Sequence, residues 1–159
     1  GLGMGFTLAR ALRQLSSAAE VVVAELVPAV VRWNEGILGE LAGHPLQDPR
    51  TQIIERDVVQ LMTQEPAAWD AILLDVDNGP AGLSPQTNGA LYSNNGLRRA
   101  GRALRPGGIL AVWSLSPDQA FEKRMTRNGF DVSVHQIKRR GGRGRQTIFV
   151  GRRTSRPRR

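Results

Sequence analysis

Strand-like and helix-like stretches alternate along this chain, and the alternation is what most restricts its fold. Four runs are predicted to be strands: EVVVAEL at 20–26, TQIIERD at 51–57, AWDAILLDVD at 68–77 and ILAVWS at 109–114. The first is a continuous β-branched run typical of a buried parallel strand. Stretches with helical spacing lie between them, and strands joined through helices pair in parallel. The sequence therefore predicts an α/β fold with a mostly parallel sheet.

Turn and capping residues set the predicted helix boundaries and the end of the fold. Helices are expected at about 7–15, 28–43, 93–104 and 116–129, the third stopped by RPGG at 105–108. Ser116 is the expected N-cap of the last helix, and Gly129 is expected to end it. The runs FDVSVHQIK and QTIFVGRR, joined by RGGRGR, predict a C-terminal antiparallel hairpin.

The length of 159 residues fits one domain. The charged side chains are unevenly distributed along the sequence. Ten of the 22 basic side chains lie from Lys138 onward, where there is no Asp or Glu. We expect a folded domain at 1–152 and a disordered basic tail at 153–159. No aromatic side chains interleave that tail, which argues against nucleic acid as a partner.

Composition also restricts the kinds of site this chain could carry. There is no cysteine and there are only two histidines, so neither a disulfide nor a metal site is expected. No apolar run reaches about 18 residues, so no membrane partner is expected, and the cytoplasm is the expected compartment.

The carboxyl ends of the predicted strands carry the candidate chemistry, because ligands of parallel sheets bind at that edge. Glycines or acidic residues stand at four such places: Gly1, Gly3 and Gly5 at the start, Glu25 after the first run, Asp57 after the second, and Asp75 with Asp77 after the third.

Spacing favours a nucleoside as the ligand at this edge. Glu25 follows Gly5 by 20 residues, the distance at which an acid meets ribose hydroxyls in nucleoside-binding folds. There is no GxxxxGK[ST] phosphate loop, and the acidic side chains would repel phosphate groups. Local readings stay open: a tight turn for the glycines, a helix N-terminal charge for Glu25, a helix cap for Asp57 and a turn for Asp77.

The motifs GLGMGF, VVVAEL, DPRTQIIERD, WDAILLDVDNGPAG and LYSNNGLRRAGRALRPGGILAVWS are similar, in this order, to the spermidine synthase family. That family comprises aminopropyltransferases on the Rossmann-like S-adenosylmethionine-dependent methyltransferase fold. It has a β-rich N-terminal domain and a first strand ahead of the glycine loop. The resemblance therefore implies an N-terminally truncated chain, whose sheet lacks its central strand.

Carried over by position, the resemblance implies a nucleoside site in the first half of the chain. Gly1, Gly3 and Gly5 would form the nucleoside loop. Glu25 would bind the ribose hydroxyls, with Asp57 and Val58 facing the adenine. A ribose-facing Glu25 would lie in the ligand cleft, so we expect its replacement to weaken binding with little effect on stability.

The same resemblance implies a reaction and the residues that serve it. An amine would attack the carbon next to the sulfonium of decarboxylated S-adenosylmethionine and displace methylthioadenosine. Asp75, expected to be partly buried, matches the catalytic aspartate that would take the amine proton. Asp77 and Tyr92 would contact the amine. The family has Asp-Ser-Ser/Thr-Asp-Pro-x-Gly-Pro-Ala where this chain has DVDNGPA, so the two acids are differently spaced.

Three functions remain open on the sequence. The chain is either a spermidine synthase-like aminopropyltransferase, an S-adenosylmethionine-dependent methyltransferase, or a non-catalytic binding or dimerising module. The expected co-substrate is decarboxylated S-adenosylmethionine or S-adenosylmethionine, with a small amine or another acceptor. A homodimer is also left open.

Overall fold

The computed structural model describes residues 1–64, 66–75, 79–80, 89–138 and 145–154. The chain divides into two compact units, Gly1–Leu61 and Met62–Arg159. Each unit has its own hydrogen-bonded sheet. The units are therefore described one at a time.

The first unit combines a pair of parallel strands with three helices and a short 3₁₀ turn. Its elements are α1 (Phe6–Gln14), β1 (Val21–Ala24), α2 (Pro28–Glu35), α3 (Ile37–Ala42), the 3₁₀ turn Pro45–Gln47 and β2 (Thr51–Ile54). β1 and β2 pair in parallel from Val21–Thr51 to Ala24–Ile54, as expected of strands joined through helices.

A small apolar core holds the first unit together. Leu8 and Leu12, one helical turn apart on α1, are buried with Leu2 and Val31. Half-buried valines and isoleucine of β1 and β2 pack against this cluster. The core therefore fixes α1 and the segment before it against the strands.

The single helix expected from Pro28 to Gly43 is wrong, because the structure interrupts it at Gly36. Gly36 has φ −107° and ψ −122°, which is not a helical conformation, and it separates α2 from α3. The helix does begin at Pro28, where the missing proline N–H needs no partner.

The second unit is built on a four-stranded sheet. Its elements are β3 (Trp69–Leu74), α5 (Gly89–Tyr92), α6 (Asn94–Ala103), β4 (Leu104–Ser114), α7 (Gln119–Arg127), β5 (Phe130–Lys138) and β6 (Arg145–Arg153), preceded by α4 (Val58–Gln64), which crosses the boundary. The strand order is β3-β4-β6-β5. β3 and β4 are parallel, and β6 is antiparallel to both β4 and β5, so the α/β class and the closing hairpin are confirmed.

One face of this sheet is buried under helices. Alternate residues of β4, among them Leu110 and Val112, are fully buried, as period-two strands require. Phe149 of β6 packs edge-on against Phe121 of α7, with ring centroids 5.1 Å apart. Because Phe149 pairs with Val112, this packing joins α7 to the sheet near the carboxyl end of β4.

Two expected boundaries in the second unit are wrong. α6 ends at Ala103, just before RPGG, as expected, but the strand begins at Leu104 rather than at Ile109, so residues 105–108 belong to β4 and Gly107 has φ 80° within it. Asp118, rather than Ser116, caps α7, since its Oδ1 accepts the Phe121 N–H at 2.9 Å.

The folded part reaches past residue 152. β6 ends at Arg153, and both the N–H and the hydroxyl of Thr154 donate to the Gly129 carbonyl at 2.9 Å. Gly129 has φ 87°, the left-handed conformation expected of a helix-ending glycine. Residues 155–159 lie outside the described residues, so the disordered tail stays a prediction.

Candidate functional site

The glycine loop forms a tight turn directly before α1. The Gly5 N–H donates to the Leu2 carbonyl at 2.9 Å, which closes a four-residue turn with Gly3 and Met4 at its centre. Gly3 has φ 53° and Gly5 has φ 76°, backbone conformations that residues other than glycine rarely adopt. Met4 has no positive φ, so the turn has the type II′ pattern, with glycine at the position that requires it.

Glu25 lies against this loop, immediately after β1. Its Oε2 accepts the Leu2 N–H at 2.7 Å, and its Oε1 accepts the Val27 N–H at 2.8 Å. The side chain is only 7% exposed. The acid and the glycine loop are therefore brought together, while the ribose contact remains a prediction.

The expectation that Glu25 contributes little to stability is corrected by these contacts. A buried carboxylate that accepts two backbone N–H groups stabilises both segments it joins. The 20-residue spacing identified Glu25, but it did not reveal that its carboxylate binds the loop backbone.

Asn34 is a second side chain that holds the loop, and the sequence reasoning missed it. It lies on the buried face of α2 and is 1% exposed. Its Nδ2 donates to the Gly3 carbonyl at 2.8 Å and to the Val30 carbonyl at 2.9 Å. The available signal was an asparagine four residues after Val30 and three after Val31, on the apolar side of the helix.

Asp57 immediately precedes α4, and the structure supports the local reading of this residue as a helix cap. Its Oδ1 accepts the Val59 N–H at 2.8 Å, as a helix cap does. Asp57 and Val58 are both half-buried. Capping uses one carboxylate oxygen, so it does not conflict with the predicted adenine contact, which remains untested.

The DPR motif forms a charged anchor in the first unit. Arg50 donates to both Asp48 oxygens, from Nε at 2.9 Å and from Nη2 at 2.7 Å. Its Nη1 also donates to the carbonyls of Leu15 and Ser16, beyond the C-terminal end of α1. The side-chain hydrogen bonds from Arg50 lower the pKa of Asp48 to about 2, and Asp48 raises the pKa of Arg50. This motif therefore anchors the chain and lies at the opposite end of α1 from the glycine loop.

Asp75 follows the last residue of β3 and is exposed, so the expectation of partial burial is wrong. The physical reason is the alternation along β3, in which Leu74 is buried and Leu73 is exposed. Asp75 continues the exposed face beyond the paired part of the strand.

Of the residues that follow Asp75, the structure describes Gly79 and Pro80 before α5. Asp77 lies outside the described residues, so its predicted contact with the amine stays a prediction. Gly79, which follows, has φ 74°, and a Cβ there would lie 2.5 Å from the Trp113 carbonyl. Gly79 therefore lies against the carboxyl end of β4, at a place that only glycine fits.

Tyr92 is packed inside the second unit. It is 4% exposed, and its ring stands edge-on to Phe121 with centroids 5.8 Å apart. Arg124 donates to its carbonyl at 3.0 Å. The structure gives Tyr92 a packing role, and the predicted contact with the amine remains untested.

The described residues also bear on metal and membrane sites. Within them, no group of three or more His, Asp or Glu side chains is arranged to hold a metal ion. None of the helices in the described ranges has the length and apolar character needed to cross a membrane.

Known proteins share this sequence pattern and this fold. The model of the spermine/spermidine synthase domain matches residues 3–137. The polyamine aminopropyltransferase of Mycobacterium tuberculosis is 31% identical over 122 residues, which cover 74% of this chain and 22% of the relative. The chain thus spans about a fifth of that protein's length.

Solved structures show the same fold. Spermidine synthase from Thermotoga maritima superposes with a TM-score of 0.75 at 18% identity, over 99% of this chain and 53% of that one. A 1,6-didemethyltoxoflavin-N1-methyltransferase from Burkholderia thailandensis, with bound S-adenosylhomocysteine, gives a TM-score of 0.65 at 18% identity. It covers 98% of this chain and 69% of the methyltransferase. The Rossmann-like methyltransferase fold is therefore confirmed.

Proposed function

Since this chain belongs to the spermine/spermidine synthase family, we propose that it binds decarboxylated S-adenosylmethionine and serves the transfer of its aminopropyl group to an amine. The observation that carries the proposal is the direct hydrogen bond from the glycine-loop backbone to Glu25. This bond brings the two candidate nucleoside-binding features into one place.

The described groups fit the nucleoside part of this co-substrate. Each Glu25 oxygen accepts one backbone N–H, and a carboxylate oxygen can accept a second hydrogen bond, as from a ribose hydroxyl. The N–H groups of Gly3 and Met4 have no partner among the described residues, so both are donors for the ligand. We assign the adenine end to Asp57 and Val58.

The proposed reaction is a displacement at carbon. The amine nitrogen forms a bond to the carbon next to the sulfonium, the carbon–sulfur bond breaks, and methylthioadenosine leaves with the electron pair. The amine loses one proton, which we assign to the Asp75 carboxylate. The exposure of Asp75 supports this role, because an amine substrate that enters from the solvent can reach the carboxylate. Asp77 would attract the cationic amine.

Methyl transfer from S-adenosylmethionine is the second candidate. The observation in its favour is the sequence DVDNGPA, in which the spacing of the two acids departs from the aminopropyltransferase pattern. The similar fold of a methyltransferase with bound S-adenosylhomocysteine also supports a nucleoside site of this kind.

Binding and turnover measurements on this chain test the proposal. Calorimetric titration with methylthioadenosine measures nucleoside binding. Mass spectrometry of reactions with a diamine and either decarboxylated or ordinary S-adenosylmethionine identifies the transferred group. An aminopropyl product supports the proposal, and a methyl product supports the second candidate. Binding without any product would assign this chain a non-catalytic role, and absence of binding would overturn the nucleoside site.

A further inference from the structure

The Asn34 side chain determines which way the central peptide of the glycine loop faces. We infer that Asn34 is a positioning residue of the nucleoside site, which acts by turning the Gly3–Met4 peptide so that the Met4 N–H points toward the ligand. The inference rests on the proposed function in one respect: it assumes that the loop binds a nucleoside.

The geometry of the turn is the first step. Its closing bond runs from the Gly5 N–H to the Leu2 carbonyl, so the peptide between Gly3 and Met4 is the central one. The flip of the central peptide is what distinguishes type I′ from type II′ turns. A side chain that binds this peptide therefore selects the turn.

Asn34 binds that peptide from the inside of the unit. Its Nδ2 donates to the Gly3 carbonyl at 2.8 Å, and the side chain is 1% exposed. Every peptide bond in the described chain is trans, so the N–H of Met4 points opposite to the Gly3 carbonyl. Because the carbonyl faces the buried amide, the N–H faces outward, where Met4 is 48% exposed.

The unsatisfied half of the amide supports a positioning role. Asn34 Oδ1 is buried and has no hydrogen-bond partner among the described residues. An unsatisfied buried acceptor is costly, so Asn34 is not explained by stability alone. The same oxygen would lie 2.8 Å from a Cβ at position 5, so Asn34 and Gly5 form one tightly fitted contact.

The orientation of the Met4 N–H indicates which chemical groups of a ligand this loop would bind. The Glu25 carboxylate binds the Leu2 N–H, two residues before Met4, so the loop brings an acceptor and an outward N–H donor to one short segment. This pairing suits a ribose, whose hydroxyl groups both accept and donate hydrogen bonds. Asn34 itself does not touch the ligand and acts through the loop.

The test replaces Asn34 by leucine, which has a similar shape and no donor, and separately by alanine. Arg50→Lys is the matched control, because Arg50 anchors the other end of α1 and contacts no loop residue. Amide spectra of labelled protein report the loop without ligand. We expect the Gly3, Met4 and Gly5 resonances to move or broaden in both Asn34 variants and to stay in place in the control.

Calorimetry with methylthioadenosine then measures the consequence for binding. With one oriented N–H lost, the affinity is expected to fall about fivefold to tenfold in the Asn34 variants at a temperature where all proteins are folded. Unchanged loop resonances, or a shifted loop with unchanged affinity, would overturn the positioning role. If the parent chain does not bind methylthioadenosine, the proposed function is overturned, and the spectra still decide whether Asn34 orients the loop.

Discussion

Replacing Glu25 with alanine removes a buried carboxylate that joins the glycine loop to the segment after β1. The two backbone N–H groups it accepts belong to Leu2, which is buried, and Val27, which is 49% exposed. Water can satisfy the Val27 N–H after the change, whereas the Leu2 N–H loses its partner. With about 1.5–3 kcal/mol for each hydrogen bond to a charged group, we expect Glu25→Ala to lower the free energy of unfolding by about 2–4 kcal/mol.

Glu25→Gln keeps the shape and exchanges one acceptor oxygen for an amide that cannot accept a hydrogen bond. One of the two backbone bonds is then lost, so the expected decrease is about half as large, 1–2 kcal/mol. Glu20→Gln is the matched control, because Glu20 is exposed, precedes β1 and undergoes the same change of charge. A surface change of this kind is expected to stay within about 0.5 kcal/mol.

Native-state hydrogen exchange of the β1 amides measures these differences within the first unit, since each amide reports the opening of its own segment. Urea unfolding followed by circular dichroism provides an independent value. If Glu25→Ala matches the Glu20→Gln control, the two hydrogen bonds do not stabilise the first unit, and the reasoning from them fails.

Three further predictions follow from the remaining contacts. Gly5→Ala is expected to lower the melting temperature more than Gly43→Ala does. Both glycines have φ near 77°, but only at position 5 would a Cβ also lie 2.8 Å from Asn34 Oδ1. Equal melting temperatures of the two variants would contradict this. Asp75→Asn is expected to lower turnover about 100-fold or more in steady-state kinetics, as loss of a general base does. Asp70→Asn, on the same strand, is the control and should leave turnover unchanged, whereas Asp77→Asn should mainly raise KM. The Asp48 pKa, lowered to about 2 by the Arg50 hydrogen bonds, means that this contact stabilises the fold fully above about pH 4 and is lost as the pH falls toward 2. Urea midpoints across that range should therefore fall less for Asp48→Asn than for the parent.

Much of the fold could be predicted from residue patterns, because those patterns act over short distances. The β-branched runs that became β1 and β2, the two strands of the C-terminal hairpin and the helix-ending Gly129 all depend on local conformational preference and on burial of alternate residues. Spacing and family resemblance likewise identified the glycine loop and Glu25 as candidates.

Other features depended on which segments meet in space. Local signals indicated Ser116 as the cap of α7 and Ile109 as the start of a strand, but the structure has Asp118 as the cap and begins β4 at Leu104, which pairs with Trp69 of β3. Tyr92 has the sequence context of a contact residue, yet its ring packs edge-on against Phe121, which is 29 positions later in the chain.

Asn34 is the clearest example of a site residue that the sequence alone did not identify. Its bond to the Gly3 carbonyl joins residues 31 positions apart, and the pattern of α2 signals only a polar residue on the apolar side of the helix, without indicating which group it binds. The sequence alone determined that a glycine turn precedes a helix and that an acidic residue follows the first strand. Only the tertiary structure decided which backbone groups that acid and this amide bind, because a hydrogen bond forms where two groups meet within about 3 Å, and that distance is set by the packing of the whole unit.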